Sequence, residues 1–348
     1  MTVDVILTAD AASGEWALEE VVAAARGATL SQWLAPGVGL VTLLSDWTSL
    51  AWQLRVAPPI FCRHICPVET TVDLMREAVD LEALAAAGSR FVDDMDETRP
   101  FSVQTRLLGK RWPYGPYDVN TRLAEVLARS GASLDVRKPV DVLSVVLAGH
   151  RGYLGLSRAD DNLSDWAGGM RRLRRDPQQI SRAEFKLVEA LEVFGLDLSG
   201  TTMALDLGAA PGGWTRILRG QGARVVAVDP ADLAHAILQD AGVHHVRQTS
   251  EAYLATTDQV FDVILNDMRM DARDSARVMV AAAGQLRPSG WALMTLKLPQ
   301  DALVSTMEAA LKILKRSYDV IGVRQLFHNR SEVTVALRRA DSTELTRR

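Results

Sequence analysis

The second half of the chain predicts an α/β fold built on a mostly parallel sheet, preceded by a smaller α+β region. Three observations carry this expectation. From residue 180 onward, short apolar runs alternate with helical stretches, the pattern of parallel strands covered on both faces. A glycine-rich turn follows the first of those strands and opens a helix, where open α/β sheets hold ligands. The front of the chain mixes strands and amphipathic helices without such regular alternation.

In chain order, residues 3–8 and 39–44 read as strands, and 17–26 and 72–87 as helices with apolar positions at helical spacing. An acidic connector, 93–100, ends in proline. Beyond it, 101–107 and 141–147 read as strands around a helix over 119–130, and 153–156 follows a glycine-rich break. Residues 161–179 form a basic linker with Gly168-Gly169, Arg171, Arg172, Arg174 and Arg175. Strands are then expected at 203–207, 224–228, 261–265, 291–296 and 333–337. This gives five segments: 1–95, 96–160, the linker 161–179, 180–340, and a tail 341–348.

The chain has 348 residues, 48% hydrophobic and 24% charged, an ordinary globular balance that excludes disorder over most of its length. No run of about 18 apolar residues occurs, so no membrane span is expected. The opening MTVDVILTAD lacks the basic and apolar regions of a signal peptide. With only Cys62 and Cys66, a disulfide-stapled secreted fold is excluded and the cytoplasm is the expected compartment. Cys62, His64 and Cys66 share a face if 61–66 is a strand, but a structural zinc needs four ligands and no second pair follows; packing is favoured and no metal is expected.

Net charge is −4 overall but unevenly spread: −9 over residues 1–100, +5 over 101–176, and 0 over 177–348. A basic middle suggests a polyanion-binding surface. Within it Arg106, Lys110, Arg111, Trp112, Tyr114 and Tyr117 interleave cations with aromatics, which suits phosphate contact and base stacking. Arg171 and Arg172 of the linker are further candidates for RNA contact. Of 39 basic residues only six are lysine (Lys110, Lys138, Lys186, Lys297, Lys312 and Lys315). Lysine can serve where a titratable amine is needed, since guanidinium does not deprotonate in a protein.

The strongest motif is Ala204-Leu-Asp-Leu-Gly-Ala-Ala-Pro-Gly-Gly-Trp214. Its glycines let backbone approach a ligand closely. Its spacing is not that of the dinucleotide fingerprint. The next strand ends at Asp229, where an acid can accept hydrogen bonds from ribose hydroxyls.

This motif resembles the first motif of S-adenosylmethionine-dependent methyltransferases, in the form typical of the FtsJ-like RNA 2′-O-methyltransferases. Ser181-Arg-Ala-Glu-Phe-Lys186-Leu, Asn266-Asp267-Met268, Leu296-Lys297-Leu-Pro299 and Arg330-Ser-Glu332-Val extend the resemblance over roughly 180–340. It implies a Rossmann-like class I domain: a mostly parallel seven-stranded sheet whose last strand runs antiparallel. It implies S-adenosyl-L-methionine as cofactor, held by Ser181, Gly208, Ala210, Pro211, Gly212, Gly213, Trp214, Asp229, Ser250 and Asp267. It also implies a catalytic tetrad: Lys186, Asp267, Lys297 and Glu332. After the third strand, where family members carry an acid near the adenine, this chain has Gln248-Thr249-Ser250-Glu251; Ser250 or Glu251 stands in for it. Residues 101–157 loosely resemble a THUMP RNA-binding module, which makes 1–90 the ferredoxin-like partner found beside such modules. The Leu-Lys-Leu-Pro and Arg324-Gln-Leu-Phe-His328 segments are most similar to members acting on large-subunit (23S-type) ribosomal RNA.

Position supports the tetrad separately. Asp267 and Lys297 sit just past the carboxyl ends of parallel strands. Glu332 begins an antiparallel last strand, at the same edge. Ser181 and Glu184 form an S-x-x-E capping box, opening a helix with Lys186 about one turn in. A ribose hydroxyl is a poor nucleophile until a base takes its proton. Lysine ordinarily titrates near 10.4, and a neighbouring cation lowers that value. Lys297 is therefore assigned as general base, with Lys186 as the neighbouring cation and the two acids fixing the amines. The methyl group sits on a sulfonium, so the step needs positioning and no metal. Cytosine C5 chemistry is excluded here because no cysteine follows Cys66. Asn266-Asp-Met-Arg269 lacks the proline and aromatic of exocyclic-amine methyltransferases. Two rivals remain: action on transfer RNA or another RNA, or a non-catalytic RNA-binding or assembly factor. Cofactor turnover with RNA separates the enzyme from the binding factor.

Overall fold

The computed structural model describes residues 2–340; the expected tail 341–348 lies outside the described residues. Two compact units meet in sequence between Met170 and Arg171.

The first unit begins with β1 (Val3–Thr8), α1 (Gly14–Ala24), β2 (Thr29–Ala35), β3 (Val38–Leu43), α2 (Trp47–Val56) and β4 (His64–Val68). The strands form an antiparallel sheet in the order β2-β3-β1-β4, the ferredoxin-like βαββαβ arrangement. A second sheet uses β5 (Thr70–Asp73), β6 (Phe101–Leu107), β7 (Asp141–Ala148) and β8 (Arg151–Arg158) in the order β5-β8-β7-β6. Helices α3 (Asp80–Gly88) and α4 (Pro116–Leu127) contribute Leu84 and Leu123 to its core beside Phe91 and Phe101. Ile6, Cys66, Val146 and Tyr153 pack together and join the two sheets.

Two expectations are corrected here. The sheets change over at Glu69, between β4 and β5, so the change does not fall at 95/96. The single helix expected over 72–87 is instead β5, a turn and α3. Asp80 is the physical reason. Its buried carboxylate accepts the backbone N–H groups of Met75, Arg76 and Glu77 at 2.8, 2.9 and 3.2 Å. Those bonds fold the segment into a turn and satisfy donors ahead of the helix.

The second unit starts with α5 (Ala183–Val193), β9 (Met203–Leu207), α6 (Gly213–Gly220), β10 (Arg224–Val228), α7 (His235–Leu238), β11 (Val243–Val246) and α8 (Ser250–Leu254). It continues with β12 (Phe261–Asn266), α9 (Ala272–Ala282), β13 (Leu286–Lys297), α10 (Leu303–Leu314), β14 (Tyr318–Arg324) and β15 (Glu332–Arg339). The seven-stranded order is β11-β10-β9-β12-β13-β15-β14. Only β15 runs against its neighbours, as expected. The apolar strands β9, β10 and β12 are buried almost throughout, as strands covered on both faces require. The strand order reverses between β9 and β12, the switch point where such sheets bind ligands. Among the described residues, no helix is long and apolar enough to cross a membrane.

Candidate active site

Chain register brings the four tetrad positions together. Asp267 is the first residue after β12. Lys297 ends β13, and Glu332 lies directly opposite it in the antiparallel β13–β15 pair. Lys186 stands in the first turn of α5. Lys186 Nζ lies 3.2 Å from Asp267 Oδ2 and 2.6 Å from Glu332 Oε1. Lys297 Nζ lies 2.6 Å from Asp267 Oδ1 and also bonds Glu332 Oε2. Each carboxylate thus spans both ammonium groups in a closed ring of two cations and two anions.

The electrostatics follow from that ring. Burial raises the Asp267 pKa, but Lys297 and Lys186 outweigh it and hold the carboxyl below its usual range. Burial disfavours the Lys186 ammonium, but Asp267 and Glu332 outweigh that and hold its pKa above the usual lysine value. Lys186 is therefore a persistent cation.

Three contributors escaped sequence reasoning. Thr295 is fully buried on β13, two residues before Lys297 and so on the same face. Its hydroxyl donates to Asp267 Oδ1 at 2.6 Å and accepts from Lys297 Nζ at 2.7 Å. Its signal was the i, i+2 spacing. Asn329 is buried, and its amide donates to Glu332 Oε1 at 3.5 Å; nothing in its local sequence marked it. Asp206, inside the glycine-turn motif, is buried beneath the same edge. Burial pushes its carboxyl up to about 7, opposed by the hydrogen bond from Thr215 and reinforced by Asp267.

The glycine turn lies at the carboxyl end of β9. Gly208 has φ +73°, and a Cβ there would stand 2.4 Å from Met268 Cγ, so both backbone and space require glycine. The Ala210 N–H donates to Asp229 Oδ2 at 3.0 Å, and the Pro211 carbonyl accepts from Ala234 N. Gly212 caps α6. A Cβ on Gly213 would stand 2.3 Å from Ser181 Oγ, so glycine there lets the start of α5 approach. Asp229 Oδ1 accepts from Ala231 N at 2.8 Å. Both carboxylate oxygens are thus oriented by backbone and keep lone pairs for ribose hydroxyls.

Three assignments are amended. Trp214 turns its indole into the core, donating to the Ala183 carbonyl at 2.7 Å, so it can offer a ligand only backbone. The capping box forms by half. Glu184 accepts the Ile180 and Ser181 N–H groups, while the buried Ser181 hydroxyl has no hydrogen-bond partner. Ser250 is buried and donates to Met268 Sδ at 3.2 Å, whereas Glu251 is exposed.

The residues present fit S-adenosylmethionine. The glycine turn leaves room for close approach, Asp229 presents oriented acceptors, and Ser181 holds an unused buried hydroxyl that calls for a polar partner. Sheet order, turn and acid together define a class I S-adenosylmethionine-dependent methyltransferase unit.

Comparison with known proteins narrows the class. Residues 179–329, most of the chain's second unit, match the family described as FtsJ-like methyltransferase. The chain is similar to ribosomal RNA large subunit methyltransferase M from Pseudomonas syringae pv. syringae, at 30% identity over 65% of this chain and 66% of that protein. It is similar to the protein of the same name from Thauera aminoaromatica, at 28% identity over 80% and 79%. A third, from Halorhodospira halophila, is 34% identical over 51% and 52%. The matched stretch thus spans about two thirds of the Pseudomonas relative's length and about half of the Halorhodospira relative's.

The residues proposed for RNA contact divide in two. Lys110, Arg111 and Arg172 are exposed. Arg106 is partly buried and donates to Thr8 Oγ1 at 2.8 Å, and burial pulls its pKa down to about 10. Trp112 donates to the Leu108 carbonyl, with the Arg76 guanidinium 4.3 Å above its ring. Arg171 is buried and paired with Glu192. Tyr114 is buried and donates to Asp80 Oδ2 at 2.8 Å. Arg106, Trp112 and Arg171 thus have partners within the protein, whereas Lys110, Arg111 and Arg172 face outward. Cys62 and Cys66 are buried thiols outside any disulfide; Cys62 precedes β4 and its Sγ donates to the His64 carbonyl.

Proposed function

We propose that the protein transfers a methyl group from S-adenosylmethionine to a ribose 2′-hydroxyl of large-subunit ribosomal RNA in the cytoplasm. The observation that carries this reading is the closed Lys186–Asp267–Lys297–Glu332 ring beside the glycine turn. The relatives' names supply the RNA. The cofactor, when bound, supplies an electrophilic methyl on a sulfonium.

Lys297 takes the hydroxyl proton. Its amine is fixed by Asp267, Thr295 and Glu332, which leaves little freedom to misalign. Lys186 shares both carboxylates with it and stays charged. The exposed Lys110, Arg111 and Arg172 hold RNA phosphates, and residues 101–157 act as the RNA-binding module.

Incubation with methyl-labelled S-adenosylmethionine and ribosomal RNA tests the reading. A 2′-O-methyl group removes the hydroxyl that alkali uses to cleave RNA. Label is expected in alkali-resistant dinucleotides. Label recovered only in mononucleotides places the methyl on a base and contradicts the reading.

A further inference from the structure

Lys186 and Glu332 sit on segments far apart in sequence, yet their charged atoms lie 2.6 Å apart. Lys186 rides on α5, while Glu332 follows the loop 325–331 between β14 and β15. Something must hold that loop against the helix.

Glu189 lies one turn beyond Lys186 on α5, three residues on, where helical side chains are neighbours. Its carboxylate is buried and fully engaged with the loop. Oε1 accepts the Phe327 N–H at 2.8 Å; Oε2 accepts the His328 N–H at 3.0 Å and meets the ring Nδ1 of His328 at 2.7 Å. The His328 ring packs on Phe185 of the same helix, centroids 5.1 Å apart. The next residue, Asn329, accepts from Leu326 N at 2.8 Å and Thr334 Oγ1 at 3.1 Å, and its amide reaches Glu332. An unbroken chain of bonds thus runs from the helix bearing Lys186 to Glu332.

We infer that Glu189 is a positioning residue: it clamps loop 325–331 to α5 and so sets where Glu332 meets Lys186 and Lys297. This rests on the proposed role of the four-residue ring. Glu189 touches none of the four; it acts through His328 and Asn329. A carboxylate suits the task because it only accepts, and its three partners in the loop can all donate. An amide of the same size has one accepting oxygen and one donating nitrogen, so it cannot satisfy all three.

The test is a double-mutant cycle between Glu189→Gln and Glu332→Gln, read as methyl transfer with both substrates saturating, together with S-adenosylmethionine affinity and melting temperature. Displacing a catalytic group by about 1 Å can cost about 100-fold. Glu189→Gln is expected to lower kcat by roughly 10- to 100-fold, with cofactor affinity within about twofold of wild type. On top of Glu332→Gln it is expected to cost less than about twofold, because residues acting through one another are not additive. Equal losses in both backgrounds, or an unchanged kcat in Glu189→Gln, overturn the clamp. An unchanged kcat in Glu332→Gln alone overturns the four-residue reading and the clamp with it. If Glu189→Gln fails to fold, His328→Ala carries the same cycle, since it leaves both backbone bonds to Glu189 in place.

Discussion

The carboxyl edge of the second unit's sheet and the basic stretch 101–176 were both singled out by their charged residues, and they fare differently in three dimensions. At the sheet edge, four charged side chains from four separated segments close into one ring. In the basic stretch the marked residues scatter. Arg106 bonds Thr8, Arg171 pairs with Glu192, and Trp112 lies under Arg76. A strand end fixes where a side chain stands, because sheet order and register leave it one place. A charge count fixes no position, and an arginine can equally bridge neighbouring elements as face solvent.

The contrast can be broken at either region. The largest effect on cofactor affinity is expected at the glycine turn. Gly208→Ala puts a Cβ into Met268 and forces a left-handed backbone on alanine. Strain of about 1–3 kcal/mol weakens S-adenosylmethionine by roughly tenfold or more, measured by calorimetry. Unchanged affinity would remove the turn from the cofactor site.

In the basic stretch, the paired change Lys110→Ala with Arg111→Ala is expected to flatten the salt dependence of RNA binding by about two counterions. Arg106→Ala should leave that slope alone and lower the melting temperature instead. Titration of RNA binding against salt for the two variants distinguishes them. A flattened slope in Arg106→Ala would return that residue to the RNA surface.

The smallest effect concerns stability at the sheet edge. The Asp206 carboxyl titrates near 7 in the folded chain against an ordinary 3.8. Its folded pKa is raised, so its contribution is fully present below about pH 4 and is lost as pH climbs through about 7. Asp206→Asn removes that titration. Its melting temperature relative to wild type should rise between about pH 4 and 7 and level off above that. A difference that does not vary with pH would show that Asp206 is charged throughout.

Much of the second unit was legible because several local signals agreed. The strands at 203–207 and 224–228 are apolar runs bounded by turn residues, and both fell where expected. The strand β14, with its mixed Tyr-Asp-Val-Ile-Gly-Val-Arg sequence and intermediate burial, gave no clear period. In the first unit, helical spacing over 72–87 misled because the long-range pairing of Val72 with Gly152 and the Asp80 turn override local preference. The tetrad was readable from motif and strand ends. Thr295, Asn329 and Glu189 were not, since an ordinary buried polar residue carries no motif and the fold sets its partners, near in sequence for Asn329 and distant for Glu189.

The proposed role of Lys297 as proton acceptor in this ring can be read from single-turnover methyl transfer at saturating RNA. Lys297→Arg keeps the charge but cannot deprotonate. Loss of a general base costs about 10²–10⁴-fold. Lys297→Arg is expected to bind cofactor and RNA normally and to transfer at least about 100-fold more slowly. Lys186→Arg should be milder, because a permanent cation still serves that position. Near-wild-type transfer by Lys297→Arg, with Lys186→Arg inactive, would reverse the two roles. Near-wild-type transfer by both would mean that neither lysine of the ring accepts the proton.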